Sequence, residues 1–257
     1  MSIKESKIIH LAEKNIFCSQ IIPQNSTNNS VLIFLHDALG CSESWKEFPA
    51  QLCDKMETAG FLYDRLGHGK SDMLDMRWSK GYLEAEADFL RKIVLSQNFK
   101  NIILIGSSDG GSIALLYAAK YQDCQAIISI AGHFKVEEAT TAGIRNTIQN
   151  SEKIIHQLEK YHGNKTARIF QNWQECWLSE GFNNWNIERE LLKIQCASLI
   201  LQGEKDKYAT QEHCTGIAKK IGNNALPIII KGSGHFPHKE NPGLVSLTIN
   251  SFLNKIL

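Results

Sequence analysis

The chain has 257 residues and 43% of them are apolar, enough for one large domain with a substantial core, which excludes a disordered chain. Lys and Arg total 28 against 27 Asp and Glu, and a formal net charge of +1 lacks the basic excess that marks a nucleic-acid partner. The seven cysteines are odd in number and form no C-x-x-C pair, so they describe neither a disulfide framework nor a zinc site, and point to free thiols in a cytoplasmic, reducing setting.

In chain order, the opening MSIKESKIIHLAEKNIF has no long apolar run and no cleavage signal, so no leader is expected. No segment reaches the roughly 18 apolar residues of a membrane span. Residues 7–21 hold two short segments that read as an antiparallel hairpin at a sheet edge. A strand over 31–35 precedes a helical pattern at about 43–57, and a strand over 60–63 precedes one at about 80–97. Residues 102–105 lead into a helix over 111–121, and 126–130 form a further strand. After the interval 133–190, strand 198–201 precedes helix 210–221, and strand 227–230 precedes helix 241–255. Several of the strands are almost wholly apolar, as strands covered on both faces are. Strand–helix alternation predicts right-handed crossovers and a mostly parallel central sheet flanked by helices.

The interval 133–190 breaks this rhythm. It shows helical patterns at 137–161 and 163–179 and contains Trp173, Trp177 and Trp185. It reads as a small helical cap inserted into a core made of 1–132 and 191–257, because its aromatic content exceeds what exposed helices need.

The segment NIILIGSSDGGSIALLYAAKY, residues 101–121, places Gly106-Ser107-Ser108-Asp109-Gly110 between a strand and a helix. G-x-S-x-G in that context is a nucleophile elbow. The turn is so tight that side chains two places before and after the serine would collide, so both flanking positions are Gly. Ser108 is the candidate nucleophile. The Asp109 amide, at the helix start, faces the same space and is a candidate oxyanion donor. Ser107 lies one place too early, and Ser112 is already inside the helix.

Two carboxylates, Glu204 and Asp206, follow Gly203 just past strand 198–201. Either stands where an acid could orient a base. After strand 227–230, Gly232-Ser233-Gly234 is followed by His235, which a short flexible loop would set against the serine. His238 lies beyond Pro237 at a helix start and reads as an outer support or surface residue. His235 and His238 form H-x-x-H, but no carboxylate or third His stands at a metal-ligand spacing, so no metal is expected.

With these pieces the chain resembles the α/β-hydrolase superfamily over nearly its whole length. Tyr63-Asp64-Arg65-Leu66-Gly67-His68-Gly69-Lys70-Ser71-Asp72 is similar to the family's D-x-x-G-x-G-x-S loop, whose Asp and Arg brace neighbouring loops. The order serine, acid, histidine is the family's own, and its G-x-x-D spacing favours Asp206 over Glu204, giving Ser108, Asp206 and His235 as the implied triad. His36-Asp37-Ala38-Leu39-Gly40 stands where many members carry His-Gly-x-x-Gly, so the resemblance implies Ala38 as the second oxyanion amide. Asp37 departs from the usual Gly and is expected to point away or to brace the loop, and His36 to bond loop backbone. Ser107 replaces the His that usually precedes the serine.

GSSDGGSIALLYAA, YHGNKTARIFQNW, WNIE and GHFPHKENP together resemble bacterial carboxylesterases of this fold. That group is similar to the esterases that demethylate pimeloyl-carrier esters in biotin synthesis, and to lyase-type members of menaquinone synthesis. The resemblance implies a cofactor-free serine esterase acting on a small-molecule ester, in one form an ester on an acyl carrier protein, with carbon–carbon cleavage as the alternative. Phe134, Tyr161, Phe170, Trp173 and Trp177 are candidates to line an apolar acyl slot, or else pack the cap onto the core. Arg145, Lys153, Lys160, Lys165 and Arg168 make the cap locally basic, either as a landing patch for an acidic carrier or as a solvated helical face.

Overall fold

The computed structural model describes residues 2–26 and 29–256. Residues 1, 27, 28 and 257, counted with the core above, lie outside the described residues. The N-terminal hairpin pairs β1 (Ile3–Leu11) with β2 (Lys14–Ile22), longer than the sequence pattern indicates. The extra residues on β1, Ile3 to Ser6, are all exposed and polar but for Ile3, so hydrophobic periodicity does not reveal them.

Then follow β3 (Ser30–Leu35), α1 (Phe48–Met56), β4 (Ala59–Tyr63), α2 (Tyr82–Ser96), β5 (Asn101–Ser107), α3 (Asp109–Tyr121) and β6 (Cys124–Ile130). After the insertion come β7 (Ala197–Gly203), α9 (Glu212–Ile221), β8 (Ala225–Ile230), the short α10 (Pro237–Glu240) and α11 (Pro242–Leu253). Among the described residues one sheet runs β1-β2-β4-β3-β5-β6-β7-β8. Its first two pairings are antiparallel and the rest parallel.

One difference from the sequence expectation lies at 43–57, read above as a single helix. The structure has a 3₁₀ turn over Ser42–Trp45, then Lys46 at φ 54°, then α1. Pro49 lacks an N–H and fits only the first turn of a helix, so it forces the restart.

Both sheet faces are covered. Within β5, Ile102 and Leu104 join the cluster formed with α2, α3 and α9, while Ile103 and Ile105 join Trp45, Phe48, Leu52, Val245 and Ile249 from the α1 and α11 side. Each such buried side chain stabilises the fold by about 1.5–3 kcal/mol, which is why the strand reads as an unbroken apolar run.

Between β6 and β7 the chain forms α4 (Glu138–Ile148), α5 (Ser151–His162), α6 (Thr166–Trp177), α7 (Glu180–Asn183) and α8 (Glu188–Leu191). The helix expected over 137–161 is broken at Gln149-Asn150: the Asn150 N–H turns back to the Thr147 carbonyl, and Asn150 becomes the N-cap of α5. Asn competes with helical backbone and favours this position.

The strand order places the site. β3 lies between β4 and β5, so the chain leaves it in one direction and returns to its other side. A crevice opens at such a reversal, beyond the C-terminal strand ends. Leu35, ending β3, pairs with Gly106, one residue before the end of β5, which brings the loop at 36–40 beside the Ser108 turn.

Candidate active site

Ser108 sits between β5 and α3 at φ 54° and ψ −117°. That conformation costs a non-glycine residue about 1–3 kcal/mol and persists only where its surroundings enforce it. Here the Ser108 N–H donates to the Ile130 carbonyl at 2.8 Å, and its own carbonyl accepts from the Ser112 N–H at 3.1 Å. A Cβ on Gly106 would stand 2.0 Å from the Gly110 oxygen, and one on Gly110 would stand 2.0 Å from the Leu35 oxygen. Only glycine fits at both. The rival serines do other things: Ser112 Oγ bonds the His133 backbone at 2.9 Å, and the Ser107 side chain is buried with no partner among the described residues.

His235 bridges Ser108 and Asp206. Its Nε2 lies 2.9 Å from Ser108 Oγ, and its Nδ1 lies 2.9 Å from each Asp206 carboxylate oxygen. With Nδ1–H donated to Asp206, Nε2 is left to accept the serine proton. Burial works against the Asp206 anion, but His235 and the Tyr208 N–H, 2.9 Å from Oδ1, outweigh it and hold the carboxyl below its ordinary range. Glu204, the competing acid, accepts from the Gly232 N–H at 2.9 Å and so braces the neighbouring loop. His238, expected as an outer support or surface residue, is buried, its ring 4.6 Å from that of Trp45.

A supporting residue went unseen in the sequence. The Glu240 carboxylate accepts from the Gly234 N–H at 2.6 Å and the Phe236 N–H at 3.1 Å, the two amides on either side of His235. A Glu five places after a histidine gives no periodic signal, because it acts through a turn.

In the loop after β3, Asp37 braces as expected. Its Oδ1 accepts from the Leu39 N–H at 3.1 Å, and its Oδ2 lies 3.5 Å from Lys239 Nζ. Burial raises its pKa, and Lys239 with the Leu39 N–H brings it below the ordinary value. His36 Nε2 accepts from the Arg65 N–H at 3.0 Å, which leaves Nδ1–H to donate to the Asp37 carbonyl at 2.8 Å. Burial, reinforced by Arg65, holds His36 neutral, its pKa well below the usual histidine value. His68 Nε2 holds the Ala38 carbonyl at 3.0 Å.

Arg65 belongs to a turn wrapped around Asp64, whose carboxylate accepts from the Ser42 and Lys70 N–H groups at 2.7 Å each. A Cβ on Gly69 would stand 1.9 Å from that carboxylate, so the glycine is required.

Asp109 turns its side chain into a buried chain of polar groups. Trp177 Nε1 donates to Tyr82 Oη at 2.7 Å, Tyr82 donates to Asp109 Oδ2 at 2.8 Å, and Arg65 Nη2 lies 3.5 Å from the same oxygen. Burial lifts the Asp109 pKa above its ordinary value despite Arg65.

A cavity of about 370 Å³ opens over Ser108 and His235, with Ala38 and Asp109 in its wall. Tyr161, Trp173 and Trp177 line it, together with Ile144, Leu158 and Tyr208, which the sequence reading omitted. Phe134 and Phe170 are corrections: neither is in the cavity wall. Phe134 packs on His213, ring centroids 4.9 Å apart, and covers Gly216, while Phe170 sits edge-on to Trp173 at 5.6 Å. Both serve core packing. Of the basic residues on these helices, Lys165 turns inward, its ammonium 2.6 Å from the Ser71 carbonyl and 3.2 Å from that of His68. It contributes nothing to an outer patch.

Among the described residues no group of three His, Cys, Asp or Glu side chains could hold a metal ion, and no helix is long and apolar enough to cross a membrane. The cysteines are free, with Cys196 half-buried and the other six buried.

The profile described as "Alpha/beta hydrolase family" matches residues 32–246. The chain is 31% identical over 214 residues to the mouse protein "Serine hydrolase BPHL", covering 78% of this chain and 72% of that one. It is 24% identical over 250 residues to the 2-succinyl-6-hydroxy-2,4-cyclohexadiene-1-carboxylate synthase of Shigella flexneri, covering 86% of this chain and 93% of that one. Among solved structures, a thermophilic esterase from Thermogutta terrifontis superposes with a TM-score of 0.74 at 21% identity, over 98% of this chain and 99% of the other.

Proposed function

Since this chain belongs to the alpha/beta hydrolase family, we propose that it is a serine hydrolase that cleaves a carboxylic ester, with Ser108 as nucleophile, His235 as base and Asp206 as acid. The observation that carries the reading is His235 standing 2.9 Å from both Ser108 Oγ and Asp206 at the floor of an apolar cavity.

The chemistry follows from that placement. Ser108 Oγ attacks the ester carbonyl carbon while His235 Nε2 takes its proton, and Asp206 stabilises the imidazolium. The Ala38 and Asp109 amides face the oxygen on which negative charge develops. Collapse breaks the bond to the alkoxide, which leaves as an alcohol with the proton from His235. Water then attacks the acyl-serine, its proton passing to His235 and on to Ser108, and a carboxylic acid departs. The helices within 133–190 act as the cap, supplying Ile144, Leu158, Tyr161, Trp173 and Trp177 to the acyl slot. No cofactor is needed.

A methyl ester of a pimeloyl-carrier in biotin synthesis, in the cytoplasm, is the specific form the sequence resemblance favours. A second reading, carbon–carbon cleavage or lyase chemistry on the same triad, draws on the similarity to the Shigella flexneri synthase. A panel of p-nitrophenyl esters of graded length, with Ser108→Ala as control, tests the first. Turnover by wild type and a loss of roughly 10³-fold or more in the variant supports it. No turnover, and no labelling by a fluorophosphonate, sinks it. Rescue of a biotin-requiring strain tests the specific form.

A further inference from the structure

Arg65 is among the largest fully buried side chains, 1% exposed, and the triad makes no use of it. Its Nη2 lies 3.0 Å from the Asp37 carbonyl oxygen and 3.5 Å from Asp109 Oδ2. One nitrogen thus touches both the loop after β3 and the start of α3, whose residues Ala38 and Asp109 line the cavity. The Asp37 carbonyl belongs to the same peptide unit as the Ala38 N–H. The chain has no cis peptide among its described residues, so that carbonyl and that N–H point in opposite directions. A group that fixes the carbonyl from the buried side therefore aims the N–H at the cavity side.

We propose that Arg65 is a positioning residue of the oxyanion site: its guanidinium pins and polarises the Asp37–Ala38 peptide so that the Ala38 N–H is presented to the developing oxyanion. Three donors converge on the Asp37 oxygen: His36 Nδ1 at 2.8 Å, Arg65 Nη2 at 3.0 Å and the Gly40 N–H at 3.2 Å. Arg65 is the one charged donor of the three, and charge-assisted bonds are the stronger kind. Its backbone N–H also sets the His36 tautomer that makes the first of these bonds possible. The remaining guanidinium contacts are loose. Nη1 is 3.9 Å from Glu86 and lacks a hydrogen-bond partner among the described residues, as does Nε. The guanidinium lies just behind the site, where low polarity strengthens its bond to the Asp37 oxygen.

The kinetic part of this inference rests on the esterase reading, but the spectroscopic part does not. With ¹⁵N-alanine labelling, the Ala38 amide is assigned by its loss in Ala38→Gly and followed in Arg65→Lys and Arg65→Met. Loss of a charged donor at the Asp37 oxygen shifts the Ala38 nitrogen resonance upfield, most in Arg65→Met and less in Arg65→Lys. With p-nitrophenyl butyrate, kcat falls by roughly 10- to 100-fold while KM changes little, and affinity for a trifluoromethyl ketone falls with kcat. Arg65→Lys recovers part of each. If Arg65→Met does not fold, Arg65→Lys decides alone. An unshifted Ala38 resonance in a folded variant overturns the inference, as does an unchanged kcat or a loss confined to KM. Absence of ester turnover in wild type would count against the proposed function only, leaving the resonance shift to decide on Arg65.

Discussion

Gly203 and Gly234 approach so closely that a Cβ on Gly203 would stand 1.9 Å from the Gly234 carbonyl oxygen. The end of β7 and the loop after β8 touch backbone to backbone there, reinforced by Lys205 N–H donating to the Ser233 carbonyl at 2.8 Å. This contact sets Asp206 and His235 side by side. Gly203→Ala forces the two loops apart, and ester turnover drops by roughly 100-fold or more, because displacements near 1 Å at a triad carry such penalties. A variant that keeps wild-type kcat shows that the loops tolerate separation and that this reading of the contact is wrong.

Glu86 makes stability depend on pH. Burial raises its pKa from 4.5 to about 7, against the pull of Arg65. The unfolded chain releases this proton near 4.5 and the folded one near 7, so the folded state loses stability as pH rises between those values. The full effect, reached above pH 7, is on the order of 3 kcal/mol. Glu86→Gln imitates the protonated form. Its melting temperature relative to wild type should climb from pH 5 to pH 8 and level off beyond. A difference that stays flat over that range rules the assignment out.

Glu240→Gln weakens the clamp on the amides flanking His235. An amide offers one carbonyl oxygen where the carboxylate offers two, so one of the two backbone N–H bonds is lost, at about 1–2 kcal/mol of stability. Turnover should fall by roughly tenfold with KM little altered, as expected when a base is held less well. Equal kcat in the two proteins would show that the His235 loop holds its shape without the clamp.

Phe170 and Tyr161 were alike as acyl-slot candidates and differ in place. Phe170→Ala empties a buried site and destabilises by about 3–5 kcal/mol, with preferences across an ester series retained. Tyr161→Ala, in the cavity wall, changes KM across that series while thermal stability moves little. The reverse pattern, read from a chemical melt and the same ester panel, would exchange their assignments.

The parallel sheet was legible because its strands are buried on both sides and leave apolar runs, unbroken in 102–105 and interrupted only by Ser129 in 126–130. The elbow was legible because steric demand writes glycine at 106 and 110. What stayed hidden acts through three-dimensional turns. Glu240 reaches back over a loop, and Tyr82 joins Trp177 to Asp109 across distant parts of the chain. Aromatic content foretold that the inserted helices pack densely. It could not separate Phe170, facing the core, from Trp173 beside it, because both are buried and only one borders the cavity.

The two ends of the helical insertion are stitched together. Lys135 pairs with Asn186, the Val136 N–H reaches the Trp185 carbonyl at 3.3 Å, and the Ile187 N–H reaches that of Phe134 at 2.8 Å. Entry and exit therefore form a single narrow neck. A polypeptide of quite different length could be spliced in above it with β6 and β7 left in register, so that selectivity is open to exchange as a cassette while the reacting groups stay in place. The bonds from Trp177 to Tyr82, from His162 to Gly69 and Leu39, and from Lys165 to the His68 and Ser71 carbonyls are threads such a graft would have to re-tie.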